Sequence, residues 1–165
     1  MTTLEKIKSK VLDRDALRRR LAMWRLQSKR IIFTNGCFDL LHLGHIDYLG
    51  KAADEGDRLI VGVNTDVSTK KLKGAHRPIN NEEQRTMILA SLSFVDAVVL
   101  FNEDTPYELI KIVQPDVLIK GADYAIKDIV GADIVQAKGG IVKTIEFLAG
   151  YSTTLTEEKI RLAKK

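Results

Sequence analysis

Cysteine is almost absent. The chain holds one, Cys37, so no intramolecular disulfide can form, which fits a reducing compartment. Aromatic residues make up only 6% of the chain and a single one, Trp24, falls within its basic clusters, so the stacking platforms of a single-strand nucleic-acid binder are not evident. Long apolar runs are missing too. The longest, such as Ala97 to Phe101, fall far short of the roughly 20 residues a membrane span needs. The first residues, MTTLEKIKSKVLDRD, lack the apolar core of a secretory signal, so a cytoplasmic protein is expected. Charge of one sign is also scarce. The 26 basic residues exceed the 22 acidic ones by four, a mild excess that suits an anionic small molecule as well as a nucleic acid.

What is present is ordinary for a folded chain: 165 residues, 45% hydrophobic and 29% charged. One domain over 1–165 is expected, with a helical extension over 1–29 and a core over 30–165. Basic residues concentrate in Arg14 to Arg30 and in Lys70 to Arg77.

The core alternates strands with helices. Arg30 to Phe33, Arg58 to Val63, Ala97 to Phe101, Val117 to Ile119 and Ile141 to Phe147 read as strands. Their near-continuous apolar character predicts burial on both faces, as in a parallel sheet. Helices are expected over Leu43 to Glu55 with Gly56 as the stop, Glu82 to Leu92 capped by Asn81, Pro106 up to Pro115, Ile126 to Ala137, and a last one capped by Thr156. Thr105 and Glu108 form a predicted capping box around Pro106. The fold class is therefore α/β, a doubly wound, Rossmann-like parallel sheet of about five strands with flanking helices. Ligands of such sheets bind at the carboxyl ends of the strands.

The first of these ends reads Thr34-Asn35-Gly36-Cys37-Phe38-Asp39-Leu40-Leu41-His42-Leu43-Gly44-His45 and holds two of the three histidines. Both stand where a helix begins, and free N–H groups there favour a phosphate. Gly36 lets the turn run tight, and Gly44 lets a ligand come close to the backbone. His42 and His45 can donate to phosphate oxygens and offset charge growing at a phosphorus centre. The competing readings are helix-start residues without a role, or a zinc pair, for which no third ligand is evident.

This stretch resembles the motif of the cytidylyltransferase-like nucleotidyltransferases, which share H-x-G-H with class I aminoacyl-tRNA synthetases. The resemblance runs from about Arg30 to Leu162. It is strongest to the branch that makes ADP-heptose from ATP and heptose 1-phosphate for lipopolysaccharide or other surface glycans. The blocks that carry it are Thr34 to Asp39, Val63 to Asp66, Lys70 to Gly74, Arg77 to Asn80, Val117 to Tyr124 and Tyr151 to Thr154. Some members of that branch are fused to a sugar kinase; this chain has no room for one and is expected to be the stand-alone form. A glycerol-3-phosphate cytidylyltransferase would show an arginine in its R-T-x-G-I-S-T-T block, and here Phe147-Leu148-Ala149-Gly150-Tyr151 stands instead.

The resemblance implies the site. His42, His45, Lys73 and Arg85 would be catalytic: the histidines at the α-phosphoryl group, and Lys70, Lys73 and Arg85 on the β- and γ-phosphates. Ser68 to Arg77 is expected to be a mobile basic loop that closes over the triphosphate. Asn35, Gly36, Cys37, Phe38, Asp39, Gly44, Asn64, Asp66, Gly121, Asp123, Ser152, Thr153 and Thr154 would bind nucleotide or sugar, with Asp39 orienting a histidine, a lysine or a metal-bound water. No protein metal site is expected; Mg²⁺ would arrive with ATP. The partners implied are ATP and a sugar 1-phosphate, without nucleic acid or membrane, in a homodimer. Three alternatives remain: a cytidylyltransferase for a polyol or amino-alcohol phosphate, an RNA-directed protein, and a nucleotide-binding module without catalysis.

Overall fold

The computed structural model describes residues 1–122 and 125–163. In chain order the elements are α1 (Thr3–Lys8), β1 (Val11–Leu12), α2 (Arg14–Leu26), β2 (Ile31–Gly36), α3 (Leu43–Ala53), β3 (Arg58–Asn64), α4 (Asp66–Lys73), α5 (Glu82–Ser91), β4 (Ala97–Phe101), α6 (Tyr107–Val113), β5 (Val117–Gly121), a 3₁₀ turn (Ile126–Asp128), α7 (Ala132–Ala137), β6 (Ile141–Ile145) and α8 (Thr153–Leu162).

The strands form one sheet of order β1-β4-β3-β2-β5-β6, and every pairing is parallel. The apolar runs are continuous because each strand feeds two cores. Ile31 and Phe33 join Ile60, Leu118 and the faces of α2, α6 and α7. Ile32, Leu59, Val61 and Val63 point the other way, to Tyr48, Leu49 and Ala52 of α3 and Leu89 and Ala90 of α5. The period of two along each strand sorts neighbouring residues to opposite faces.

The sheet has six strands rather than five. The additional strand, β1, lies inside the N-terminal extension and pairs Val11 with Val98 and Leu12 with Val99. Two residues are too few to show a strand period in sequence. The extension is no appendage, because Leu17, Leu21 and Trp24 of α2 are buried in the same core as Phe33 and Leu109.

Three helix starts differ from expectation. Pro106 stands at the N-cap of α6 without a side-chain bond, and Glu108 pairs with Lys111 rather than closing a box with Thr105. Ser152, not Thr156, caps α8, its Oγ accepting the Leu155 N–H at 3.1 Å. The stretch expected as one helix over 126–137 breaks at Gly131, where φ is +86° and an added Cβ would lie 2.6 Å from Ile110 Cδ1.

The connection after β2 runs through α3 on one face of the sheet, and the connection after β5 runs through α7 on the other. These two strands are neighbours, so a crevice opens at their carboxyl ends.

Candidate active site

A pocket of about 640 Å³ occupies that crevice. Its floor comes from strand ends: Asn35 and Gly36 of β2, Asn64 of β3, and Lys120 and Gly121 of β5. Cys37, Phe38, Asp39 and His45 form the wall that leads into α3, Lys73 stands at the end of α4, and Thr153 and Thr154 open α8.

The turn after β2 is held from both sides. Phe38 takes φ +48°, left-handed for a bulky residue, and its buried ring meets His45 edge-on at 5.5 Å. Behind it the carboxylate of Asp39, 7% exposed, accepts the N–H groups of Ile79 (2.8 Å) and Asn80 (2.9 Å) and the Arg77 guanidinium (2.6 Å). Burial alone would raise the Asp39 carboxyl, but those backbone donors and Arg77 outweigh it and hold the group below its ordinary value. Asp39 is therefore a clasp for the 74–80 loop, and it orients neither histidine.

His42 is the N-cap of α3, and His45 lies in its first turn. The imidazoles stack at 3.9 Å, and the His42 backbone N–H donates to His45 Nδ1 at 3.4 Å. That bond assigns the proton of neutral His45 to Nε2. Burial, with His42 second, pulls His45 down to about 4, and burial also lowers His42. Both rings are neutral near pH 7, so each offers one N–H donor. His42 does not itself line the pocket, and its Nδ1 is buried with no hydrogen-bond partner among the described residues. Gly44 does not line the pocket; a Cβ there would fall 3.1 Å from the His42 ring and 3.2 Å from Tyr151 Cβ. The missing side chain makes room for the imidazole rather than for a ligand.

The segment expected as a mobile loop over 68–77 is helical as far as Lys73. Thr65 caps it, accepting the Ser68 N–H at 3.2 Å. Its buried face is Ser68 and Thr69 rather than an apolar stripe, with Asn64 Nδ2 donating to Ser68 Oγ at 2.9 Å. A polar buried face leaves no hydrophobic period to read. Lys73 lines the pocket; Lys70 is exposed and does not.

Arg85 does not line the pocket either. It is 1% exposed, and its guanidinium donates to the carbonyls of Cys37 (2.6 Å) and Asn80 (3.0 Å) and to Asp66 Oδ1 (2.8 Å). Asp66, expected at the ligand, is instead the counter-ion of Arg85. The pair braces three ligand-edge segments from behind, where the resemblance implied direct phosphate contact. Asp123 lies outside the described residues. Ser152 acts as a cap beside the pocket.

Sequence reasoning missed five lining residues: Tyr48, Leu72, Arg77, Lys120 and Phe147. Tyr48 shares a 2.8 Å hydrogen bond with Thr34 and meets Phe147 at 5.5 Å. Arg77 and Lys120 stood in motif blocks whose polar residues were the available signal.

Residues 33–158 match the family model described as cytidylyltransferase-like. The bifunctional protein HldE of Wolinella succinogenes is 51% identical over 152 residues, 92% of this chain and 31% of that protein. The protein of the same name from Nitratiruptor is 58% identical over 135 residues, 82% of this chain and 28% of that one. The chain thus spans about a third of the length of these curated relatives. A lipopolysaccharide core biosynthesis protein from Thermoplasma volcanium is 31% identical with a TM-score of 0.58, covering 73% of this chain and 97% of that structure. A pantoate-β-alanine ligase from Francisella tularensis, 17% identical, shares the fold with a TM-score of 0.61 over 94% of this chain and 78% of its own. With strand-end pocket, paired histidines and a model match across most of its core, the chain belongs to the cytidylyltransferase-like family.

Proposed function

We propose that the chain is an adenylyltransferase that converts ATP and a heptose 1-phosphate to ADP-heptose and pyrophosphate, for lipopolysaccharide or another surface glycan. The observation that carries this reading is the stacked histidine pair at the start of α3, of which His45 lines a pocket that also presents Lys73, Arg77 and Lys120. The heptose-type sequence blocks, the HldE relatives and the lipopolysaccharide protein of similar structure support the substrate class.

An oxygen of the sugar phosphate attacks the α-phosphorus of ATP. One P–O bond forms, the bond to the bridging α–β oxygen breaks, and pyrophosphate carries the electron pair away. The nucleophile is already anionic, so the protein's task is alignment and charge neutralisation. His42 and His45 donate to the α-phosphoryl oxygens, and Lys73 receives charge on the departing pyrophosphate. Among the described lining residues Asp39 alone is acidic, and its oxygens are committed to Arg77, Ile79 and Asn80. On this reading Mg²⁺ arrives with the nucleotide as Mg·ATP, where it would neutralise phosphate charge. Cytoplasmic location, expected from the single cysteine, and a homodimer, expected from the family resemblance, complete the reading.

The test is pyrophosphate release with ATP, CTP, GTP and UTP against heptose 1-phosphate and glycerol 3-phosphate. Turnover should require ATP and the heptose. Faster turnover with CTP and glycerol 3-phosphate would replace the proposal with the cytidylyl reading.

A further inference from the structure

Helix α8 buries none of its residues, and Leu155, Ile160 and Leu162 remain exposed. Yet Thr153 and Thr154, at its start, line the pocket. A helix without a buried face has little hydrophobic reason to stay where it is. An ion pair ties it to the ligand edge: Glu157 Oε1 lies 2.7 Å from one terminal nitrogen of Arg77, and the other donates to Asp39 at 2.6 Å. Arg77 itself lines the pocket, with its side chain 18% exposed. One guanidinium thus joins the turn after β2, the 74–80 loop and the last helix.

We propose that Glu157 is a positioning residue. Through Arg77 it holds α8 against the pocket, so that the Thr153 and Thr154 hydroxyls and the Arg77 plane meet a phosphate-bearing ligand already in place. A pre-set guanidinium loses less freedom when an anion arrives. The consequence for affinity rests on the nucleotide reading above; the tethering of α8 does not.

Charge makes the two possible roles of Glu157 separable. Removing a carboxylate near a polyanion site tightens nucleotide binding if only Coulomb repulsion is at work. If Glu157 positions the pocket wall, its removal weakens binding. Glu158, the next residue, is exposed, makes no ion pair among the described residues and supplies the control.

The experiment compares the full chain with Glu157→Ala, Glu157→Gln and Glu158→Ala by hydrogen exchange, thermal melting and Mg·ATP calorimetry. Glu157→Ala should speed amide exchange over 153–162 about tenfold while the sheet stays protected. Its melting temperature should stay within about 2 °C of the wild type, because no buried apolar contact is lost. Its Kd for Mg·ATP should rise about fivefold, the scale of one partly exposed ion pair. Glu157→Gln, which keeps an acceptor for Arg77, should fall between, and Glu158→Ala should match the wild type or bind slightly tighter. Unchanged exchange in α8, or unchanged or tighter Mg·ATP binding by Glu157→Ala, would overturn the proposal. If the wild type binds no Mg·ATP, the nucleotide reading fails, and the exchange comparison alone decides whether Glu157 holds the helix.

Discussion

The His42 backbone N–H donates to Nδ1 of His45, and the two rings stack at 3.9 Å. This arrangement turns the Nε2–H of His45 into its one available donor. It also crowds two imidazoles so closely that protonating one opposes protonating the other.

His42→Ala and His45→Ala should each lower kcat far more than they raise KM for ATP. Donors of this kind act on charge that develops during transfer, and the barrier should rise by about 2–4 kcal/mol. Steady-state kinetics with saturating sugar phosphate makes the check. Near wild-type turnover in both variants would remove the histidines from the chemistry.

Stability should fall in mild acid. The folded protein holds His45 near 4, against 6.5 for the free group, so the unfolded chain binds the extra proton. The associated stability is complete above pH 6.5 and is lost progressively as pH falls towards 4. Its full size is about 3 kcal/mol at most. Asp39, lowered from 3.8, acts only below that window. Urea unfolding between pH 7.5 and 4.5 should therefore show a slope that His45→Gln flattens. Identical slopes would show that His45 is not held neutral.

Lys73→Ala should weaken ATP more than AMP, because AMP has no β- or γ-phosphate to hold. Lys70→Ala, on the exposed side of α4, should change either affinity by less than about 0.5 kcal/mol. Calorimetry with both nucleotides makes the comparison. Equal losses for ATP and AMP in the Lys73 variant would move the triphosphate elsewhere in the pocket.

Arg85→Met should cost stability first. It strands the Cys37 and Asn80 carbonyls and the Asp66 carboxylate, a loss of about 2–4 kcal/mol. ATP and AMP should suffer alike, since the brace lies behind the turn. Denaturation and calorimetry on the same variant decide. Full stability with a loss confined to ATP would return Arg85 to the phosphates.

Residues that state their role through local chemistry were legible in the sequence. The β-branched runs announced a parallel sheet because strands buried on both faces admit few polar residues. Asn81 caps α5 as expected, since capping involves only near neighbours, and the structure adds Gln84 as its reciprocal partner. The turn from Asn35 to His45 lay at a strand end, where the doubly wound fold requires a ligand crevice. What the sequence could not disclose depended on partners distant along the chain. Arg85 and Asp39 carry charges that read as ligand contacts, and only the folded chain brings them to Cys37, Asp66, Arg77 and the 79–80 amides. The α4 helix was hidden because its buried side is Ser68 and Thr69, satisfied by Asn64 rather than by apolar packing. Local preference and periodicity act over a few residues and can be read in order. Which charges face a ligand and which brace the pocket from behind is decided by burial, which exists only once the sheet and its helices have closed.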